Sequence, residues 1–181
     1  MNRSLSRTIC VTAATLALVA ASAPAHAAQT KRVITDPVEP TKAYDIVKLV
    51  VKSQKTASTQ AKVTVTHGRV VKTGDSVDFW LNIDADANPD IHVVGDSFSE
   101  YHVFQTDSFL EDGKNITKRG CASLTMVNNK SKLKFDPKCL KAGGTFRVSV
   151  RSSRSDMASS TEDFAPAAGK FTKKVVTGPL A

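Results

Sequence analysis

Apolar and polar residues alternate along several short stretches of this chain, and the longest clean run is Val77-Asp78-Phe79-Trp80-Leu81-Asn82-Ile83-Asp84. Val77, Phe79, Leu81 and Ile83 fall on one side of an extended backbone, and Asp78, Trp80, Asn82 and Asp84 on the other. Successive side chains of a strand point to opposite faces, so this period of two predicts a half-buried strand. Thr145-Phe146-Arg147-Val148-Ser149-Val150-Arg151 alternates equally well, with Phe146, Val148 and Val150 inward. Shorter matches at 61–66, 91–94, 101–105, 124–127 and 133–135, and less regular ones at 46–51 and 171–176, predict further strands. The Ser-rich stretch 152–161, with Arg154 and Asp156, reads as a loop or a short helical turn. Beyond the first 27 residues, apolar positions do not recur at helical spacing over a dozen residues. Eight or nine short strands separated by turns point to an all-β fold, an antiparallel β-sandwich of immunoglobulin-like or jelly-roll-like kind.

The first 27 residues follow a different logic. Arg3 and Arg7 precede an apolar run over 9–20, and small residues then lead to Ala23-Pro24-Ala25-His26-Ala27. A basic start, an apolar stretch too short to span a bilayer and an A-x-A site predict a helical secretory signal peptide cleaved after Ala27. No second apolar stretch approaches transmembrane length, so no membrane span is expected after cleavage. Residues 28–42, with Pro37 and Pro40, read as an extended leader, and 43–181 as a single β-sandwich domain. The expected location is secreted, extracellular or attached to the cell envelope.

Net charge is +8 for the whole chain, and loss of Arg3 and Arg7 leaves +6. A basic exported domain suits an anionic envelope polymer or polysaccharide as partner, although the same charge also serves plain solubility. No nucleic-acid motif is present, and nucleic acid is not an expected partner. Lys62, Lys132, Lys134, Arg147 and Arg151 occupy outward strand positions; if they share a face, they form a basic patch.

Cleavage would leave two cysteines, Cys121 and Cys139, in an oxidising compartment. In an antiparallel hairpin this pair would face across a turn centred near residue 130, where the chain reads Asn128-Asn129-Lys130-Ser131. A disulfide there would contribute roughly 3 kcal/mol in the chain-entropy model. A redox pair lacks C-x-x-C spacing, and a thiolate metal pair lacks a nearby histidine.

The stretch Asp84-Ala85-Asp86-Ala87-Asn88-Pro89-Asp90 places oxygen side chains at alternate positions of a turn. Asp84, Asp86, Asn88 and Asp90 are therefore candidate calcium ligands. Pro89 stands where an EF-hand loop needs Gly, so the alternative is an Asx-rich turn between two strands. Trp80 lies on the polar side of its strand, and with Asn82 and His92 it forms a candidate ligand face; the alternative is packing beneath a loop. His67, His92 and His102 fit no zinc spacing, and no serine sits in G-x-S-x-G or S-x-x-K.

The order of short motifs resembles a known group. Asp45-Ile46-Val47-Lys48 comes first, then 77–83 running into Asp84-Ala85-Asp86, then Cys121-Ala122-Ser123-Leu124. Phe135-Asp136-Pro137-Lys138-Cys139-Leu140, Phe146-Arg147-Val148 and Gly169-Lys170-Phe171-Thr172 follow. This looks like the small secreted actinobacterial β-sandwich proteins of unknown function. The resemblance implies a sheet-rich fold, a disulfide between Cys121 and Cys139, and an aspartate-rich turn after a central strand. In that group the turn often includes Gly and is followed by Tyr, whereas Ala85, Ala87 and Ile91 stand here. The group brings no activity with it.

The expectation is an exported, non-catalytic binding or envelope-associated module, stabilised by calcium if the aspartate turn binds it. A small secreted hydrolase and a secreted inhibitor-like protein are the alternatives.

Overall fold

The computed structural model describes residues 30–53, 61–84, 86–97, 100–154 and 162–177. The signal-peptide segment, Ala85 and most of the Ser-rich stretch (155–161) lie outside the described residues. Among those described, every long element is a strand: β1 (Lys31–Thr35), β2 (Ile46–Ser53), β3 (Ala61–His67), β4 (Asp75–Asn82), β5 (Ile91–Asp96), β6 (Tyr101–Gln105), β7 (Ala122–Val127), β8 (Lys130–Phe135), β9 (Thr145–Arg154), β10 (Asp163–Ala165) and β11 (Val175–Val176). The fold is all-β. One antiparallel sheet runs β1-β2-β3-β8-β7; the other runs β10-β9-β4-β5-β6, with β11 beside β9.

The two sheets face each other as a β-sandwich, and the alternation decides which residues lie between them. Leu49, Val51, Val63, Val65, Leu133 and Phe135 point inward from the first sheet. Val77, Phe79, Leu81, Val93, Phe146, Val148 and Val150 meet them from the second. Phe135 and Phe146 join the layers edge to face, with ring centroids 5.1 Å apart, a geometry aromatic pairs favour over a sandwich stack. The Ile46 amide donates to the buried Asp163 carboxylate at 2.6 Å, tying β2 to β10. No helix among the described residues is long and apolar enough to cross a membrane.

Three sequence expectations need correction. Lys31–Thr35, inside the segment read as leader, is the edge strand of the first sheet and pairs with β2 from Lys31↔Lys52 to Thr35↔Lys48. Its pattern was obscured because an edge strand buries little: Val33 is exposed and Ile34 only half-buried. The expected strand over 171–176 shrinks to Val175–Val176. Phe171 instead packs sideways against Phe109, and Thr172 exchanges hydrogen bonds with Val148.

The β7–β8 hairpin is the third. It turns at Asn128-Asn129, not around residue 130, and pairs Ala122 with Phe135. Asn128 takes the left-handed conformation (φ 54°), which asparagine tolerates better than most residues. Cys139 therefore lies past the end of β8, in a turn that Asp136 opens by accepting from the Lys138 amide at 2.9 Å. That turn brings Cys139 back to Cys121, and the two form a disulfide with Cα atoms 5.5 Å apart. The pairing stands although the register that suggested it was displaced.

Candidate functional site

The outer face of the second sheet carries the residues expected to form a ligand face. Trp80 and His92 are direct cross-strand partners on β4 and β5, and their rings stack with centroids 4.8 Å apart and planes 3° from parallel. Asn82 lies two positions further along β4. All three share the face, but none is open: Trp80 is 3% exposed, Asn82 1% and His92 8%. A loop after β6 bends back so that Phe109 meets the Trp80 ring at 5.4 Å, and Phe171 backs Phe109 at 5.2 Å. The indole is roofed, which is the packing alternative weighed for Trp80.

Beneath that roof runs a line of charges with alternating sign. The His92 Nδ1–H donates to Asp112 at 2.5 Å and its Nε2–H to Asp78 at 2.9 Å. The other oxygen of Asp78 accepts from Arg151 Nε at 2.9 Å, and Arg151 Nη1 reaches Glu162 at 3.0 Å. Burial pushes the His92 imidazolium down, and the hydrogen bonds and charges of Asp78 and Asp112 more than offset it, so its pKa stands above the ordinary value. Both ring nitrogens donate only when the imidazole is protonated, in agreement with that direction. Arg151 also lies over the Trp80 ring at 5.4 Å.

The aspartate turn is knitted to itself. Asn82 Nδ2 donates to the Asp86 carbonyl (3.1 Å), the Asp86 carboxylate (3.0 Å) and the Asn88 carbonyl (2.5 Å). Asp86 Oδ1 also accepts from the Asn88 amide at 2.8 Å, Asp84 caps the Asp86 amide at 3.1 Å, and Asp90 caps the Ile83 amide at 2.7 Å. Arg147 donates to both Asn82 and the Asp86 carbonyl. Burial, together with the Asp84 and Asp86 charges, raises the Asp90 pKa. Among the described residues, no group of three or more His, Cys, Asp or Glu side chains converges as a metal would require.

The outer face of the first sheet is different in kind. Its registers align three rows of five positions across the strands: Lys31, Lys52, Lys62, Lys134, Ser123; then Val33, Val50, Thr64, Lys132, Thr125; then Thr35, Lys48, Thr66, Lys130, Val127. All fifteen are exposed or half-buried. Seven are lysines, five carry a hydroxyl, three are valines, and none is acidic, aromatic or arginine. Among the described residues, no salt bridge engages any of these lysines. A shallow depression of about 270 Å³ lies between Lys48, Lys52, Lys62 and Lys130, over Thr64 and Thr66. A second, of about 210 Å³, lies between Lys62, Lys132 and Lys134. Of the five outward cations singled out from the sequence, Lys62, Lys132 and Lys134 belong to this face. Arg147 and Arg151 belong to the opposite one.

Sequence reasoning missed Lys31, Lys48, Lys52 and Lys130 as members of that face. Lys48 and Lys52 stood in or beside an expected strand and Lys130 in the expected turn, but strand order, which the sequence does not state, decides that β2, β3 and β8 lie side by side. The chain matches no protein-family model, no curated protein and no solved structure.

Proposed function

We propose that this chain is an exported, non-catalytic binding module that holds an anionic polymer of the cell envelope on the lysine face of its first sheet. The observation that carries the reading is the face itself: seven lysines on fifteen aligned positions with no carboxylate among them. Like charges directly opposite on neighbouring strands destabilise a sheet, so the pairs Lys31↔Lys52, Lys52↔Lys62 and Lys62↔Lys134 cost stability that an anionic ligand restores. The disulfide suits an oxidising, external setting.

A polymer fits this face better than a lipid surface. Neighbouring strands rotate by roughly 20–25°, so the outer strands of a five-stranded sheet stand some 80–100° apart. A planar bilayer touches only part of such a saddle, whereas a flexible chain follows it.

The test is retention of the oxidised chain on an immobilised polyanion, with a neutral dextran as control. Wild type is retained at 50 mM salt, about the low end of the usual range for counterion-release measurements, and elutes as salt rises. The Lys62→Glu/Lys132→Glu variant passes through. Its fold is protected, because a carboxylate at position 62 would face Lys52 and Lys134 and turn two repulsions into attractions. Flow-through of the wild type, or equal retention of the variant, overturns the reading.

A further inference from the structure

We infer that the polymer is a base-free phosphodiester chain, of the poly(alditol phosphate) kind, crossing the strands along the row Lys31–Lys52–Lys62–Lys134. The inference rests on the reading that this face binds an anionic polymer and names the chemistry and the track. Four observations support it.

The first is register. Lys31↔Lys52, Lys52↔Lys62 and Lys62↔Lys134 are consecutive cross-strand pairs, so four ammonium groups stand abreast on β1, β2, β3 and β8, and Ser123 continues the line on β7. With strands about 4.8 Å apart the row spans roughly 14 Å, the reach of a few repeats of a linear chain. The neighbouring rows hold only one and two lysines, so the charge is concentrated on one track running perpendicular to the strands.

The second is the choice of cation. Every basic residue on the face is lysine. Arginine's planar fork would grip carboxylate and phosphate alike in a fixed bidentate geometry; lysine presents a point charge with freely rotating donors, which follows the tetrahedral anionic oxygens of a flexible phosphodiester without imposing one orientation. The third is the set of hydroxyls beside the row: Ser123 at its end, with Thr64 and Thr125 on the next row. Each is a neutral donor for a second non-bridging oxygen. The fourth is the lack of any aromatic side chain among the fifteen positions. Single-stranded nucleic acid is held by bases stacked on aromatic rings, and sugar rings use the same apolar faces; this surface offers neither a platform.

The experiment compares four polymers of matched length and salt against the full oxidised chain: poly(glycerol phosphate), poly-L-glutamate, oligothymidylate and neutral dextran. Poly(glycerol phosphate) binds at least tenfold tighter than poly-L-glutamate, and oligothymidylate binds no tighter than the base-free chain. With roughly 0.7 counterions released per charge on a flexible chain, four lysines give a log–log salt slope of about 3. The Lys52→Gln/Lys62→Gln/Lys134→Gln variant falls to a slope below about 1. The Lys48→Gln/Lys130→Gln/Lys132→Gln variant keeps most of the affinity. Equal affinity for poly-L-glutamate overturns the phosphodiester assignment while leaving the polymer reading intact. Tighter binding of oligothymidylate overturns the base-free assignment, and equal losses in the two triple variants overturn the track. Failure of every polyanion to bind sinks both the inference and the reading beneath it.

Discussion

The indole of Trp80 and the imidazole of His92 lie parallel and in stacking contact, and the same imidazole is clamped at both nitrogens by Asp78 and Asp112. Trp80 is the only tryptophan in the chain, so its fluorescence reports this cluster alone. The folded-state pKa of His92 lies above its unfolded value. The stability it contributes is therefore complete below about pH 6.5 and is lost as pH rises through the folded pKa. Alkaline titration should lower the thermal midpoint and brighten Trp80 together, as the quenching imidazolium loses its proton. A His92→Gln variant should show neither change; a midpoint insensitive to pH above 6.5 in the wild type would contradict the assignment.

His67 carries the opposite sign. It is buried at the end of β3, stacked on Tyr44 with centroids 3.7 Å apart and hydrogen-bonded to Ser131 at 2.9 Å. Burial holds its pKa down to about 3. The folded state thus keeps it neutral while the unfolded chain protonates, so stability falls as pH drops below about 6.5, by about 1.4 kcal/mol per unit until the folded pKa is reached. His67→Phe, which keeps a ring on Tyr44, should flatten that acid limb in urea unfolding measured between pH 6.5 and 4.5, a window taken from the unfolded value.

The roof over Trp80 depends on a close backbone approach. A Cβ placed on Gly113 would lie 2.6 Å from the Gln105 carbonyl oxygen, and the Gly113 amide already donates to that oxygen. Gly113→Ala should lift the loop that carries Phe109 and Asp112. Phe109→Ala should remove the roof directly, at about 1–2 kcal/mol, less than the roughly 3–5 kcal/mol of a fully buried phenylalanine. Both variants should shift Trp80 emission to the red; an unchanged spectrum would show that the loop does not shield the indole.

The aspartate turn offers a calcium test. Asp86 accepts from Asn82 and from the Asn88 amide, and Asp84 and Asp90 cap backbone amides. With its carboxylates so engaged, millimolar calcium should leave the thermal midpoint where a chelator leaves it. A calcium-dependent rise that Asp86→Ala abolishes would establish these residues as ligands, since a ligand of the folded state alone stabilises it by mass action.

Removing the Cys121–Cys139 disulfide by double substitution to serine should cost about 3 kcal/mol in urea unfolding. Cys121 precedes β7 and Cys139 follows β8, so the lysine face should survive the change in the folded fraction.

The sandwich was legible because period-two alternation is local: 77–84 and 145–151 show it without reference to any other part of the chain. Edge and short strands were not. Lys31–Thr35 hides its strand because one side of an edge is solvent, and Val175–Val176 is too short to show a period. The cysteine pair was legible from spacing and from the expected compartment, yet its register was not, because the Asp136 turn moves Cys139 off the strand. Alternation alone groups Trp80 and Asn82 on one face, with His92 beside them on the next strand, but the roof of Phe109 and Phe171 comes from loops with no pattern to read. The lysine face depends most on topology, since its rows join strands distant in sequence, such as β3 and β8.

Four ammonium groups abreast make the first sheet a loaded spring: each copy of the chain is folded against its own repulsion, most of all in dilute salt. On the proposed reading, an occupied copy is relaxed and a wandering one is not. Tolerance to heat and to proteases would then differ with where a copy has lodged, and molecules that fail to reach the polymer would be the first to be cleared. Exchanging those lysines for neutral residues would give a hardier protein that no longer knows where to stay.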